Sequence, residues 1–292
     1  MRLSKKQIGI LLCLPSFIII FFVLGYPLGY SIYISFLKMN IASSLRGPEF
    51  VGLTNYVNAL YDIKLWAAIG RTAYITVWDV LVGTSLGLFM ALLLNTMLKG
   101  RGILRAIVLF PFILPPVVNG LIWKWVYNPN YGFLNGFLYQ IGIIRNYQSW
   151  LSQPWTALHM IILANLWQGT AFAYILYLGG LQSIPLQLYD AAKIDGASRY
   201  QTLTRITLPL LLPITLVVVV LKTILTFKLF DLIYVLTGGG PANSTQVITY
   251  YIYKKSFDFL EFGGAAALSY ILTLLLLIFV YLYYKLLQKE VY

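Results

Sequence analysis

Four ionisable side chains interrupt runs that are otherwise apolar: Asp79, which follows Trp78, and Lys222, Lys228 and Asp231. A charge at the centre of a bilayer costs about 2.5–3.5 kcal/mol on insertion scales, so each one requires a reason. Lys228 and Asp231 are three residues apart and can pair on one helical face. A proton relay is the rival reading of these charges, and the single His159, near the end of its own run, adds little to it. Lys124, between Trp123 and Trp125, reads as a side chain that snorkels to an interface. An intramembrane enzyme would need a nucleophile–base pair or metal ligands, and one histidine and one cysteine, Cys13, supply neither. That lone cysteine also leaves no disulfide within one chain.

The uncharged polar residues suggest a different chemistry. In the run Asn165-Leu-Trp-Gln-Gly169 and on to Phe172, the residues Asn165, Gly169 and Phe172 recur at i, i+4, i+7 and share one helical face. An aromatic platform beside amides and hydroxyls suits a ligand with hydroxyl rims and weakly apolar C–H faces, as sugars have. Gly169 would leave room for a ring. Asn119, Thr226 and Phe227 are further candidates for such a pathway. The same Asn and Gly could instead hold helices together through close packing and hydrogen bonds.

These residues sit on elements that only a membrane can accommodate. Of the 292 residues, 60% are hydrophobic and 10% charged, with a mean hydropathy of +0.79; a soluble domain carries about 25% charged residues. Six stretches reach the roughly 20 apolar residues that a spanning helix needs: Ile8–Leu37, Ala68–Leu98, Ile103–Tyr127, Trp155–Gly179, Thr207–Leu236 and Gly264–Leu286. Prolines 15, 27, 115, 116, 209 and 213 imply kinks that neighbouring helices must satisfy. Continuous apolar runs exclude a β-barrel. The first stretch is too long for a signal-peptide core and lacks a cleavage site, so it is expected to remain as a span. The fold class is therefore all-α, with six transmembrane helices and no separately folding polar block.

Orientation follows from basic residues beside the helices. Arg2, Lys5, Lys6, Lys99, Arg101, Arg105, Lys193, Arg199, Arg205, Lys285 and Lys289 fall on one side. They outnumber Lys38, Arg46, Lys64, Arg145, Lys254 and Lys255 on the other. The richer side faces the cytoplasm, so both termini are cytoplasmic. The net charge of +12 is spent on topology, with no call for a nucleic-acid partner. The outer loops are about 38–67, 128–154 and 237–263. The organisation reads as 1–67, the first helix and first outer loop, followed by a five-helix core over 68–287.

One cytoplasmic connection, about 181–206, is more than a link. Ser183 can cap a helix starting near Pro185; Leu188, Ala191, Ala192 and Asp195 follow helical spacing; Gly196 permits a sharp bend; Leu203 and Ile206 share a face beyond it. Asp195 and Arg199 are i, i+4 partners. The result is a compact helix–Gly–helix knob, with Ala191 and Ala192 as a small-residue surface against which another protein can pack. An amphipathic helix lying on the membrane is the competing reading.

The run Asp190-Ala-Ala-x-x-Asp-Gly-Ala197, with Ile206-x-Leu-Pro209 and Pro213, resembles the EAA motif of ABC-importer permeases. Asp190 stands for the usual Glu and keeps its charge, and Leu203 stands where Phe is frequent. Phe50-Val-Gly-Leu-Thr-Asn-Tyr56, Ile122-Trp-Lys-Trp125, and Asp231-Leu-Ile-Tyr-Val-Leu-Thr-Gly-Gly-Gly-Pro241 with Thr245 and Tyr250-Tyr-Ile-Tyr-Lys254 resemble the carbohydrate branch of the maltose-transporter type, on the MalF-like side.

That resemblance implies a type I importer permease fold in a bacterial or archaeal cytoplasmic membrane. It implies three partners: a second homologous permease subunit, an ATPase dimer and an extracytoplasmic solute-binding protein. ATP and Mg would be held by the ATPase chains, and no cofactor by this one, which has no G-x-x-x-x-G-K-[ST] loop. Asp190, Ala191, Ala192, Asp195, Gly196 and Ala197 would form the joint with the ATPase. The resemblance places the segment of Asn165, Gly169 and Phe172 on the substrate pathway, to which Asn119, Thr226 and Phe227 are added as candidates by their residue types. A glycerol-phosphate ester is the alternative cargo within this branch. An ion-coupled secondary transporter is the alternative class, though it would usually show internal repeats.

Overall fold

The computed structural model describes residues 5–40, 47–96 and 100–288, with side chains undescribed for 5–8 and 286–288. Of the residues used for orientation, Arg2, Arg46, Lys99 and Lys289 lie outside the described residues. Five helices are long and apolar enough to span a membrane: Gly9–Ser35, Ile63–Leu94, Pro154–Ser183, Arg199–Phe227 and Phe262–Lys285. The pair Arg101–Ile113 and Pro116–Val126, bent by 101°, completes the set of six as a broken third span. We number the spans one to six in chain order. A two-residue ribbon pairs Leu37–Lys38 antiparallel with Glu49–Phe50, and an isolated bridge joins Asn40 to Glu261.

The chain forms two compact units, Met1–Leu65 with Tyr251–Leu274, and Trp66–Tyr250 with Leu275–Tyr292. In the first unit, the Phe50–Tyr56 motif ties down the end of the first span. Asn55 donates to the carbonyls of Ser35 (2.8 Å) and Leu37 (2.9 Å), and Tyr56 bonds the Ser35 hydroxyl at 2.7 Å. The Ser35 carbonyl is one of those a helix end leaves open, and Leu37 begins the short ribbon beyond it. Gly263 closes the arrangement, because a Cβ there would lie 1.9 Å from the Leu37 carbonyl oxygen. Tyr251 bonds Asp62, and burial together with that carboxylate pushes its phenol pKa up.

The second unit is built on close contact between the second and fourth spans. A Cβ at Gly87 would lie 2.6 Å from Ala173 Cβ and 2.9 Å from the Tyr174 backbone nitrogen. Around this point Ala91, Leu94, Ala173, Tyr174, Tyr177, Leu181, Leu211 and Val218 form the core. Lipid is as apolar as these side chains, so helix association here relies on packing that small residues permit. Gly87→Ala is therefore expected to cost about 1–3 kcal/mol by overpacking and to lower the yield of monodisperse protein in size-exclusion chromatography. Gly70→Ala, whose Cβ would meet nothing within 4 Å, should leave that yield unchanged.

The third span breaks at Leu114-Pro115-Pro116. Both Leu114 (ψ 135°) and Pro115 (ψ 142°) are extended, because a proline disfavours the helical region for the residue before it. The apolar run predicts one span over Ile103–Tyr127; the consecutive prolines bend it by 101° instead. The fifth span also differs from the expected Thr207–Leu236. It starts at Arg199, ends at Phe227, and after Lys228–Phe230 a separate helix runs Asp231–Leu236. Lys228 and Asp231 therefore do not share a helical face, and they form no ion pair within 4 Å among the described residues.

Candidate functional site

The site is assembled by three irregularities in otherwise apolar helices. The first is a π-helical turn at Asp79–Gly83, in the middle of the second span. The second is the broken third span, which frees the Leu114 carbonyl; Gln168 Nε2 donates to it at 2.7 Å. The third is the end of the fifth span at Phe227. Together they enclose a cavity of about 380 Å³ lined by Phe112, Leu114, Asn165, Gln168, Gly169 and Phe172 on one side and Asp79, Lys222, Thr226 and the Lys228–Leu232 segment on the other. The rings of Phe112 and Phe172 lie 5.6 Å apart, centroid to centroid, on this wall.

At the base of the wall is a buried ion pair. Lys222 Nζ donates to Asp79 Oδ1 at 3.0 Å, and Thr226 Oγ1 donates to Asp79 Oδ2 at 2.8 Å. Lys222 is 1% exposed and Asp79 3%. Gly169 makes the pair possible, since a Cβ at that position would lie 2.8 Å from both Asp79 Oδ1 and Lys222 Nζ. Removing one partner of such a pair leaves an uncompensated buried charge and costs about 3–5 kcal/mol.

Of the expected pathway residues, the structure brings Asn165, Gly169, Phe172 and Thr226 together on the cavity. It does not bring Asn119 or Phe227 there. Asn119 is buried beside it and donates to Gln168 Oε1 at 3.0 Å, so it orients the amide that faces the cavity. Phe227 is absent from the cavity lining and packs against Phe279, with ring centroids 5.4 Å apart and planes tilted by 49°. Gln168 and the Asp79–Lys222 pair were missed as site residues. The pair could not be read locally, because its members are 143 residues apart; Gln168 could have been found from the consecutive prolines, which leave a carbonyl in need of a donor. His159 is engaged elsewhere, with Nε2 3.1 Å from the Tyr74 hydroxyl and Nδ1 2.8 Å from the Trp155 carbonyl. Lys124 reaches the Val235 carbonyl at 3.2 Å, tying the third span to the Asp231–Leu236 helix rather than snorkelling alone.

The knob is well formed. Its helix is Leu186–Ile194, and Gly196 adopts φ +72° beyond it. Gly196 N–H donates to the Lys193 carbonyl (3.1 Å) and Ala197 N–H to the Ala192 carbonyl (2.9 Å), the paired bonds of a Schellman cap. Ser198 then opens the next helix with a reciprocal capping box: its hydroxyl accepts from Gln201 N–H at 3.2 Å, and Gln201 Oε1 accepts from Ser198 N–H at 2.8 Å. Three expectations are corrected here. Ser183 caps nothing, because the fourth span continues through it and its hydroxyl bonds back to Gly180. Asp195 is in the turn that ends the first helix, Arg199 begins the next, and the two do not pair; the ion pair on the knob is Asp190–Lys193, at 3.2 Å. Ala192 is buried, while Asp190, Ala191, Asp195 and Gly196 remain exposed, so the small-residue surface is narrower than the spacing implied. The Ser198-x-x-Gln201 pattern was legible as a capping box and was not used.

A family model described as binding-protein-dependent transport system inner membrane component matches residues 83–291. The chain belongs to this family. The permease is 37% identical, over 98% of its length and 95% of the relative's, to the trehalose/maltose transport system permease protein MalF of Thermococcus litoralis. It is 33% identical to the sulfoquinovosyl glycerol transport system permease protein SmoG of Agrobacterium fabrum, covering 92% of this chain and 87% of that one. The trehalose transport system permease protein SugA of Mycobacterium tuberculosis is 33% identical over 92% of this chain and 84% of its own. In fold, the permease superposes on a chain of a bacterial ABC transporter involved in import of the acidic polysaccharide alginate. That match has a TM-score of 0.83 at 24% identity and covers 98% and 96% of the two chains. The MalF-like resemblance carried by the EAA-like and outer-loop motifs thus holds at the level of family and fold, and the permease is an integral, multi-pass membrane component of a transport system.

Proposed function

We propose that this chain is one of two permease subunits of an ATP-driven, binding-protein-dependent importer of a sugar or oligosaccharide, in a bacterial or archaeal cytoplasmic membrane. The carrying observation is mechanical. The exposed knob at Leu186–Gly196 runs through a capped turn into the helix Arg199–Phe227, whose last two turns carry Lys222 and Thr226 on the cavity. The Tyr189 hydroxyl lies 3.2 Å from the Thr207 hydroxyl, so the knob and the start of the span are fastened together. A displacement of the knob would be passed along this helix, through its π-helical turn at Leu203–Thr207, to the cavity wall.

The partners in this reading are a second permease, an ATPase dimer that seats the knob and supplies ATP and Mg, and an extracytoplasmic solute-binding protein that delivers cargo. ATP hydrolysis belongs to the partner chains, and this chain contributes no enzymatic step. ATPase closure would shift the knob and tip the fifth span, exposing the cavity alternately to the two sides. Relatives named for trehalose, maltose and sulfoquinovosyl glycerol support a carbohydrate cargo, as does a wall that sets the phenyl rings of Phe112 and Phe172 beside the amides of Asn165 and Gln168.

The test is purification of the tagged permease from its native membrane. An ATPase and a second permease should co-purify, and proteoliposomes containing this complex, ATP and its binding protein should accumulate a radiolabelled disaccharide. Recovery of the chain alone, with uptake driven by an ion gradient and indifferent to ATP, would overturn the reading.

A further inference from the structure

The ion pair on the cavity wall is only partly saturated by the protein. An ammonium has three N–H donors, and among the described residues Asp79 is the one hydrogen-bond acceptor found for Lys222. The side chain is 1% exposed, so bulk water does not reach it freely, yet it lines the cavity. A buried donor left unmet is costly, and the contents of the cavity are what can meet the remaining donors. Asp79 already accepts from Lys222 and Thr226, but a carboxylate offers about four lone-pair sites and can accept further bonds.

The charges on the wall cancel. Asp79 and Asp231 stand against Lys222 and Lys228, leaving no net charge on the wall to favour an anion. Bringing a carboxylate or sulfonate into this space would require desolvating it without a surplus of positive charge, because Lys222 is committed to Asp79 and Lys228 is offset by Asp231 on the same wall. An uncharged hydroxyl pays far less for desolvation and can both donate and accept. Two adjacent hydroxyls match the pair: one accepts from Lys222 and its neighbour donates to Asp79. Phe112 and Phe172 offer ring faces for the C–H side of the same molecule.

We propose that Asp79 and Lys222 are specificity-determining residues, which read adjacent hydroxyls on an uncharged carbohydrate and disfavour acidic sugars. This rests on the sugar-permease reading above and narrows it to neutral cargo.

The experiment uses the intact complex in nanodiscs without the binding protein, so that selection by that protein does not enter. Saturation-transfer NMR compares binding of trehalose, as a neutral disaccharide, with a disaccharide of two uronic acids. The wild-type complex should bind the neutral sugar at least tenfold more tightly. Lys222→Gln should weaken neutral-sugar binding roughly tenfold, the effect of losing a hydrogen bond to a charged group. Asp79→Asn, which leaves the wall with a net positive charge, should narrow the preference over the uronate. Where either single variant fails to assemble, the double variant Asp79→Asn/Lys222→Gln leaves no buried charge unpaired and should bind both sugars weakly. Unchanged neutral-sugar binding in Lys222→Gln or in the double variant, or a wild-type preference for the uronate, would overturn the assignment. Proteoliposome uptake by the wild type separates the two levels of the argument: uptake of neutral sugar with binding insensitive to Lys222 refutes only this inference, while uptake of no sugar refutes the permease's assigned cargo as well.

Discussion

Replacing Gly169 with valine is expected to reduce uptake by more than tenfold while the chain still inserts in the membrane. The first carbon of any side chain at this position falls 2.8 Å from Asp79 Oδ1 and from Lys222 Nζ, which are themselves only 3.0 Å apart. Lys222 can swing its terminal carbon, but Asp79 is short and held from its other oxygen by Thr226. The pair therefore opens, and a separated buried pair costs about 3–5 kcal/mol. The added methyls also fill the cavity on the side of Asn165 and Phe172. Uptake by the reconstituted complex, compared with that of Gly179→Val, is the measurement. Gly179 lies on the same span with nothing within 4 Å of its Cβ, so its variant should transport at the wild-type rate. Equal uptake by the two variants would show that the Gly169 contact is dispensable.

Gly196→Asp should abolish ATP-dependent uptake without preventing insertion, and the structure narrows the cause. Position 196 has φ +72° and open space around a Cβ. A left-handed residue costs about 1–2 kcal/mol for most side chains, and least for Asn and Asp. Backbone strain alone therefore cannot account for a complete loss in the aspartate variant. A third carboxylate beside the exposed Asp190 and Asp195, on the surface proposed to meet the ATPase, can. Gly196→Asn, which tolerates the same conformation without charge, should retain much of the uptake, and Gly196→Val, which does not, should also lose the Schellman cap. ATPase activity co-purifying with each variant, read beside uptake, checks this. Full uptake by an assembled Gly196→Asp complex would remove Asp190–Gly196 from the joint with the ATPase.

Both variants act at glycines, and the two glycines differ in how they could be foreseen. Gly196 was legible because its role is local: a helix must end somewhere after Ile194, and a left-handed glycine is the common way to end it. Gly169 was placed correctly on the cavity face by its spacing from Asn165 and Phe172. Its tighter constraint, contact with Asp79 and Lys222, depends on two other spans and has no local signature.

The sequence by itself determined that the chain spans a membrane, roughly where its six spans lie, and that a helix–Gly–helix knob stands in the connection at about 181–206. These follow from composition, from apolar run length and from cap chemistry, all of which act over a few turns of one helix. Only the tertiary structure decided that Lys222 pairs with Asp79 rather than Lys228 with Asp231, that Gln168 serves the carbonyl freed at Leu114, and that Asn119 and Phe227 stand behind the cavity wall. In lipid, any polar group must find its partner inside the protein. Which partner it finds is set by the approach of helices that are far apart in sequence, and short-range spacing carries no record of that approach.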